Sequence, residues 1–480
     1  MNGSPLEKIL TSPHFSIFME PDALILGKNR PMASISMVAI LLMTVFSLGL
    51  MFSVKDYQVS ERVISWDVAS YYNYLPAAFK YHSFDFNTLP LRAGYVISPN
   101  GLVSEKMTMG VAFLYLPFYL LAWLYILIAG VPNFEYGPEY SLMMNLSAIV
   151  YFLAGMLFLR KVLLHYFSDL VTALGLIGIF FGTNLLYYTA YYGPMSHVYS
   201  FFLISCFLWI LIKWHRKPGW GSSLLLGFIA GWIVLVRPSN VTIFLLALFW
   251  DVSDINSIKA KWNLVKTHWP KLFLLALGAL LIWIPQMIYW KAYTGEFIYF
   301  SYQGEGFFFR NPKMLQGLFS YRNGWLLYAP IMVCSIAGFV FLRKTRRNFL
   351  LPVVLYFLVS IYIIFSWWCW WYVGFGLRAM IDLYPVLVIP FCVLLERVFK
   401  MRKGARIPVL TLWGLLLMFG LLKNYQFKKG ILHFDSMSGK NYWAAFYSLE
   451  VPSADYYTHL KTPDYDAAMR GESKLLNPGP

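Results

Sequence analysis

The sequence predicts an all-α polytopic membrane protein, and three observations predict it. Of 480 residues, 59% are hydrophobic and 13% charged, a balance too apolar for a water-soluble chain of this length. Apolar runs of about 20 residues recur between short polar breaks, and that length carries a helix across about 30 Å of hydrocarbon. The 39 Lys and Arg residues gather at the ends of alternate runs, the bias that marks cytoplasmic loops.

The first run, 33–54, follows a polar segment carrying Lys8, Lys28 and Arg30, so the N-terminus is expected in the cytoplasm. This run is long enough to stay as an anchor, and no cleavable signal peptide is expected. The loop 55–138 then faces outside. Within it, 107–130 has the length of a span, yet the break after it holds Glu135 and Glu139 and no Lys or Arg. A full crossing there would reverse the side of every later basic cluster, so we expect a helix lying along or dipping into the outer leaflet, bent at Pro117. The competing expectation is a true crossing, compensated by a merged or re-entrant pair between Trp220 and Trp250.

Beyond it, Arg160-Lys161, Lys213 with Arg216-Lys217, the cations of 259–271, those of 343–347 and those of 397–406 are expected inside. The segments 187–197, 237–240, 293–325 and 367–378, poor in cations and rich in Tyr, Trp, Gly and Pro, are expected outside. About eleven transmembrane helices result, N-terminus in and C-terminus out. Residues 1–424 form the membrane domain. The polar tail 425–480 is too short for a large core of its own and is expected to pack on the outer face.

The net charge of +16 is accounted for by anionic lipid headgroups. No basic stripe with interleaved stacking aromatics lies outside the apolar runs, which excludes nucleic acid as a partner. Cys206, Cys334, Cys369 and Cys392 have no metal-ligand spacing and read as small core residues.

The most informative residue is Asp67, a lone carboxylate among Trp66, Tyr71 and Tyr72 just beyond the first anchor. An acid held there by aromatics is explained better by a reaction than by solubility. Its competing role is to cap a juxtamembrane helix. Further motifs follow: Lys106 leading an apolar segment to Pro117, Gly182-Thr183-Asn184, Met195-Ser196-His197, Arg237-Pro238-Ser239-Asn240 and Phe375-Gly376-Leu377-Arg378.

With Asp67, Tyr71 and Tyr72 in the first outer loop, this pattern resembles the GT-C superfamily of membrane glycosyltransferases, the group holding the protein O-mannosyltransferases and the lipid A aminoarabinose transferase. It departs from those two in lacking Glu or Arg after the acid and Pro-Pro after the lysine. The resemblance implies a GT-C-like helical bundle with juxtamembrane helices in the first outer loop. It also implies a hexosyl- or pentosyltransferase that moves a sugar from a polyprenyl-phosphate carrier to a lipid, glycan or protein acceptor outside the cytoplasm, here in the bacterial inner membrane.

That chemistry needs a base, cations for the phosphate leaving group and a groove for an apolar tail. Asp67 suits the base, with burial expected to raise its pKa. Arg237 and Arg378 suit the phosphate, each at an outer run end where cations are scarce, and Lys106 follows by the same reasoning. The competing role for each is snorkelling to headgroups. Tyr71, Tyr72 and His197 complete the expected substrate-binding set, although a lone His reads first as a satisfied structural residue. Arg310, Arg322, Glu61 and Asp85 are weaker candidates. The glycine- and aromatic-rich stretch 293–325 suits a lid over a sugar, or an interfacial aromatic belt. No cofactor is called for, and no divalent metal is indicated because His197 has no partner at ligand spacing. A transporter or flippase is the rival class. Charges at helix ends rather than helix centres favour surface chemistry over it.

Overall fold

The computed structural model describes residues 34–87 and 95–476. The expected basic N-terminal segment and residues 88–94 of the first loop lie outside the described residues.

Helix α1 (Ile35–Val54) begins where the Ser34 hydroxyl accepts from Met37 N and ends at Lys55, in left-handed backbone. The first loop then folds into two short helices, α2 (Trp66–Tyr72) and α3 (Tyr74–Phe79), and an antiparallel ribbon of β1 (Tyr95–Ile97) and β2 (Val103–Glu105), Tyr95 opposite Glu105. Twelve further helices carry the bundle: α4 (Gly110–Ala129), α5 (Pro138–Leu164), α6 (Asp169–Phe181), α7 (Ser196–Arg216), α8 (Trp220–Val236), α9 (Ile243–Phe249), α10 (Ile255–Thr267), α11 (Trp269–Thr294), α12 (Val333–Thr345), α13 (Arg347–Ser366), α14 (Tyr384–Phe399) and α15 (Lys403–Lys428). Among the described residues eight helical segments are long and apolar enough to cross a membrane: α1, α4, α5, α7, α11, α13, α15, and α14 with the turn that leads into it, Arg378–Phe399. Three shorter apolar segments, Asp169–Phe181, Trp220–Val236 and Pro238–Phe249, complete the helical membrane architecture.

The run ends expected to share a side do share a pole. Arg160 of α5 donates to the Ser34 and Ser36 hydroxyls at the start of α1, at 2.6 and 2.7 Å. Arg346 pairs with Glu396 of α14 at 2.8 Å and donates to Tyr166 O at 2.7 Å, and Lys271 donates to Pro218 O at 2.7 Å. At the opposite pole lie the end of α8 and the start of α7, together with the first loop, whose Thr108 hydroxyl donates to Leu235 O.

Helix α4 has the length of a span, yet both its flanks are tied to one short stretch of the first loop. Met107 N donates to the Ser70 hydroxyl at 3.0 Å before it. After it, the Tyr72 hydroxyl bonds Glu135 O, Lys80 pairs with Glu135, and Lys80 donates to Asn133 O at 2.9 Å. Phe79 of α3 packs along α4 on Tyr119 and Trp123, with ring centroids 5.9 and 6.2 Å apart.

The tail joins the main core through Tyr442, Ala445 and Tyr456. Its anchor is Lys423 of α15, fully buried, with its ammonium 5.0 Å from each of the Phe419, Tyr442 and Phe446 rings and donating to Gln426 Oε1 at 2.8 Å. Rings and an amide oxygen replace the carboxylate that a buried lysine otherwise requires.

Helices α8 and α11 pack at backbone distance, and their contact depends on residues without side chains. A Cβ on Gly227 would run into the Leu275 carbonyl, one on Gly231 into the Ala279 carbonyl, and one on Gly278 into the Leu224 carbonyl. Gly227 and Gly231 form a small-xxx-small face that lets the backbones touch, the packing mode available where no hydrophobic driving force exists between helices. Gly221, one turn and a half earlier, meets nothing within 4 Å. We expect Gly227→Leu to lower the detergent-solubilised melting temperature by several degrees through overpacking, and Gly221→Leu to leave it unchanged. A thermal-shift measurement on both variants checks this.

Candidate functional site

Four breaks between helices deliver the site. Asp67 sits in the first turn of α2, after Trp66, whose φ of 48° is left-handed. Arg237 is the residue on which α8 stops, because Pro238 follows and turns the chain into the short helix Pro238–Thr242. His197 lies in the first turn of α7. Arg378 follows the loop 367–377, in which Tyr372 and Leu377 have φ of 44° and 52° and Gly374 has φ of 138°. A Cβ on Gly374 would collide with the Tyr188 hydroxyl, which itself accepts from Phe375 N at 2.9 Å. Six described non-glycine residues have positive φ, and Trp66, Tyr372 and Leu377 flank this one cluster; strain of this kind gathers where surrounding structure fixes a functional geometry.

Three cations meet three carboxylates. Arg378 Nη2 lies 2.9 Å from Asp67 Oδ2, with the Asp67 side chain 29% exposed. Arg237 Nε lies 3.4 Å from Asp382 Oδ2, which also accepts from Asn240 Nδ2 at 2.9 Å. Lys106 pairs with Glu305, whose second oxygen accepts from Trp368 Nε1 at 2.9 Å. The Lys106 ammonium stands 5.2 Å from the Tyr302 ring, and the Arg237 guanidinium 5.8 Å from the Tyr372 ring.

His197 and Asp382 are each 1% exposed, their Nδ1 and Oδ1 atoms 3.1 Å apart, and Arg237 Nη1 is 3.1 Å from His197 Nε2 and 2.7 Å from Nδ1. A guanidinium only donates and a carboxylate only accepts, so the tautomer that satisfies both carries its proton on Nδ1, donates it to Asp382, and accepts from Arg237 on Nε2.

Burial alone would push the Asp67 carboxyl up, but the charge and hydrogen bond of Arg378, joined by the charge of Lys106, outweigh it and hold the group below the ordinary carboxylate range. This reverses the expectation of a raised pKa, because burial brings the guanidinium with it. Burial and the nearby Asp67 push the Tyr71 phenol up to about 12, so it stays a donor. Glu105, at the end of β2 beside Lys106, has no such cation of its own. It is fully buried, one oxygen takes Asn73 Nδ2 at 2.7 Å, the other has no partner, and burial pushes it up to about 8.

Of the residues singled out in the sequence, Asp67, Lys106, Arg237, Arg378, His197 and Tyr71 are brought together. Tyr72 is not: its ring packs against Tyr119, Tyr136 and Tyr140, and its hydroxyl is committed to Glu135. Ser65 occupies the N-cap position of α2 without a side-chain cap bond, and Asp67, one residue into the helix, spends an oxygen on Arg378 rather than on a cap. Arg322 lies over Trp371 at 5.0 Å and donates to Lys461 O at 3.2 Å, toward the tail. Asp85 accepts from Asn87 within its own turn at 2.9 Å. From 293–325, Tyr302 and Glu305 bring their side chains to the cluster and the Ser301 hydroxyl donates to Lys106 O at 2.6 Å, whereas Trp325 is buried against Tyr384 at 3.3 Å. Sequence reasoning missed Asp382, Glu305 and Tyr372. The available signal for Asp382 was a single acid inside an apolar run, four residues past Arg378.

Chemically, the cluster offers an anion three cations and, in contact with one of them, a partly exposed carboxylate able to take a proton. Among the described residues no three His, Cys, Asp or Glu stand close enough to hold a metal ion. No protein-family model matches the sequence, and no curated protein is found similar to it.

Glu105 gives the site a testable pH dependence. Its folded value of about 8 exceeds its ordinary 4.5, so between those values the folded state binds more protons than the unfolded one, and its share of stability falls as pH rises. The loss is complete above about 8. We expect Glu105→Gln to melt higher than the parent at pH 8.5 and to show no such advantage at about pH 4, read as paired melting curves.

Proposed function

We propose that the chain is an integral-membrane glycosyltransferase that moves a sugar from a polyprenyl-phosphate carrier to a lipid, glycan or protein acceptor, in keeping with its resemblance to the GT-C superfamily. The observation that carries this reading is the 2.9 Å pairing of Asp67 with Arg378 across 311 residues of sequence, beside Arg237 and Lys106. In this reading the pole bearing Arg160, Arg216 and Arg346 is cytoplasmic under the positive-inside rule, and the Asp67 pole faces outside a bacterial inner membrane. Helix α4 then enters and leaves on the outer side, as its two tied flanks favour, which leaves about eleven crossings with the N-terminus in and the C-terminus out.

The chemistry follows from the residues. The acceptor oxygen bonds to the anomeric carbon as the bond from that carbon to the phosphate oxygen breaks. The carrier phosphate departs with the electron pair, and Arg378, Arg237 and Lys106 stabilise its charge. The acceptor proton goes to Asp67. A low pKa suits this base, since an oxocarbenium-like centre makes the attacking hydroxyl acidic late in the reaction and a weak carboxylate base then suffices.

Transport or flipping of a lipid-linked substrate is the second reading. The buried Asp382, His197 and Arg237 network at the head of an apolar helix favours it. The two separate in one experiment on purified protein in lipid, with a labelled polyprenyl-phosphate sugar. We expect Asp67→Asn to lower transfer by about 10²–10⁴-fold with carrier binding retained. Full transfer by the variant removes the base role, and label crossing the bilayer without any transfer favours the transporter.

A further inference from the structure

Helix α10 lies at the pole that carries Arg160 and Arg346, opposite the charged cluster, and both its ends stay there. After α9 the Trp250 ring meets Phe349 at 5.2 Å and Asp251 accepts from Asn348 Nδ2 at 2.8 Å, both in the first turn of α13 beside Arg346. Asp254 then starts α10 with a capping box: its carboxylate accepts from Ser257 N at 2.8 Å, and the Ser257 hydroxyl accepts from Asp254 N at 2.9 Å. At the other end a single residue, His268, separates α10 from the spanning helix α11. A helix of 13 residues, about 20 Å long, that begins and ends at one pole runs across it rather than away from it.

This helix has three unlike sides. One faces the bundle: Ser257, Lys261 and Leu264 are half-buried, and the Lys261 ammonium donates to Ala247 O at 2.9 Å and to Trp250 O at 3.3 Å at the end of α9. Spacings of three and four put Ile255, Ile258 and Trp262 on a second side, where they are 70%, 54% and 58% exposed. Lys259 and Lys266, each four residues past Ile255 or Trp262, border that apolar side. The third side carries Asn256, Asn263 and Thr267, all exposed.

We infer that α10 lies flat on the bilayer surface and holds anionic phospholipid there, with Ile255, Ile258 and Trp262 among the acyl chains and Lys259 and Lys266 on the phosphates. The occupant follows from position and charge. The apolar side stands where α11 begins, and the first turns of α11 leave Trp269 and Phe273 exposed as well, so the apolar surface of the spanning helix continues onto α10. An apolar side next to hydrocarbon, cations at its border and amides turned outward are the arrangement of an interfacial helix. Anionic headgroups match it better than neutral ones, because neither Lys259 nor Lys266 has a carboxylate partner among the described residues. The contact is independent of the reaction proposed above.

The test puts one nitroxide at a time on the full chain in nanodiscs, through Ile258→Cys or Asn263→Cys, with the parent as the blank for its own cysteines, of which Cys206, Cys369 and Cys392 are buried and Cys334 half-buried. We expect the label at 258 to collide with dissolved oxygen more than with a water-soluble nickel complex, and the label at 263 to show the reverse. Greater nickel access at 258 leaves that side to water or to a soluble protein and overturns the inference. Amide exchange over 255–267 reads the headgroup preference, in discs of phosphatidylcholine alone or with a third of phosphatidylglycerol. In the parent we expect phosphatidylglycerol to slow exchange about fivefold, the scale of one lysine at an anionic surface, and the double variant Lys259→Gln/Lys266→Gln to lose that response. Both lysines are exposed, so the variant leaves the seat of α10 on α9 in place. Equal exchange of the parent in the two lipids, or an undiminished response in the variant, overturns the anionic site.

Discussion

Charge at the edge of hydrocarbon must be paired, and that constraint organises the polar end of this bundle. Asp67 with Arg378, Asp382 with Arg237, and Glu305 with Lys106 each join segments far apart in sequence. Together they stitch the first loop to the head of the helix that carries Arg378, the end of α8 to that same head, and the stretch 293–325 back to the first loop. Removing one member of such a pair leaves an uncompensated charge, which costs far more than the pair contributes, so the pairs fix relative position more than they add stability. The scaffold below is correspondingly rigid. Glycines at the α8 and α11 contact, and Gly338 against the Pro390 backbone, let helices meet at backbone distance and leave little freedom for the run ends to drift.

Much of this was legible in the sequence because the positive-inside bias leaves so few cations at the other run ends. Arg237, Arg378 and Lys106 stood out by position alone, and Asp67 by its isolation among aromatics. The helical membrane class followed from length and composition. What was illegible has specific causes. Asp382 is one of two acids, with Glu396, in an apolar run of 22 residues, and run counting tolerates both; only its i, i+4 relation to Arg378 hinted at a shared turn. Glu305 lies in a stretch with no period, where nothing relates sequence distance to spatial distance. Tyr71 and Tyr72 looked equivalent as neighbours, but successive residues of a helix point about 100° apart, so α2 sends one ring to the cluster and the other into the Tyr119 and Tyr140 stack.

The aromatic content, 19% of the chain, divides into jobs that composition cannot separate. One group cements the first loop to α4 and α5, with Tyr119 and Tyr140 stacked at 4.8 Å. A second cages Lys423 and so attaches the tail. A third lies beside cations at the cluster. All three groups use the same residue types, so a belt, a core and a ligand surface read alike until contacts distinguish them.

The pairing of every site cation with its own carboxylate also bears on how the proposed reaction would be ordered. In this arrangement Arg378 depresses Asp67, which keeps the carboxylate ionised and leaves it a weak base. A phosphate seated among Arg378, Arg237 and Lys106 brings negative charge into the same cluster and offsets the cationic field at Asp67. By the same Coulomb reasoning that lowers the carboxylate in its absence, the anion raises the proton affinity of Asp67. The base would thus strengthen when the donor is in place and relax once the carrier phosphate leaves, so that proton abstraction is tied to the presence of the group whose departure it accompanies. The coupling needs no moving part, only the closeness of one carboxylate to one guanidinium, which is the contact on which the geometry of the site is built.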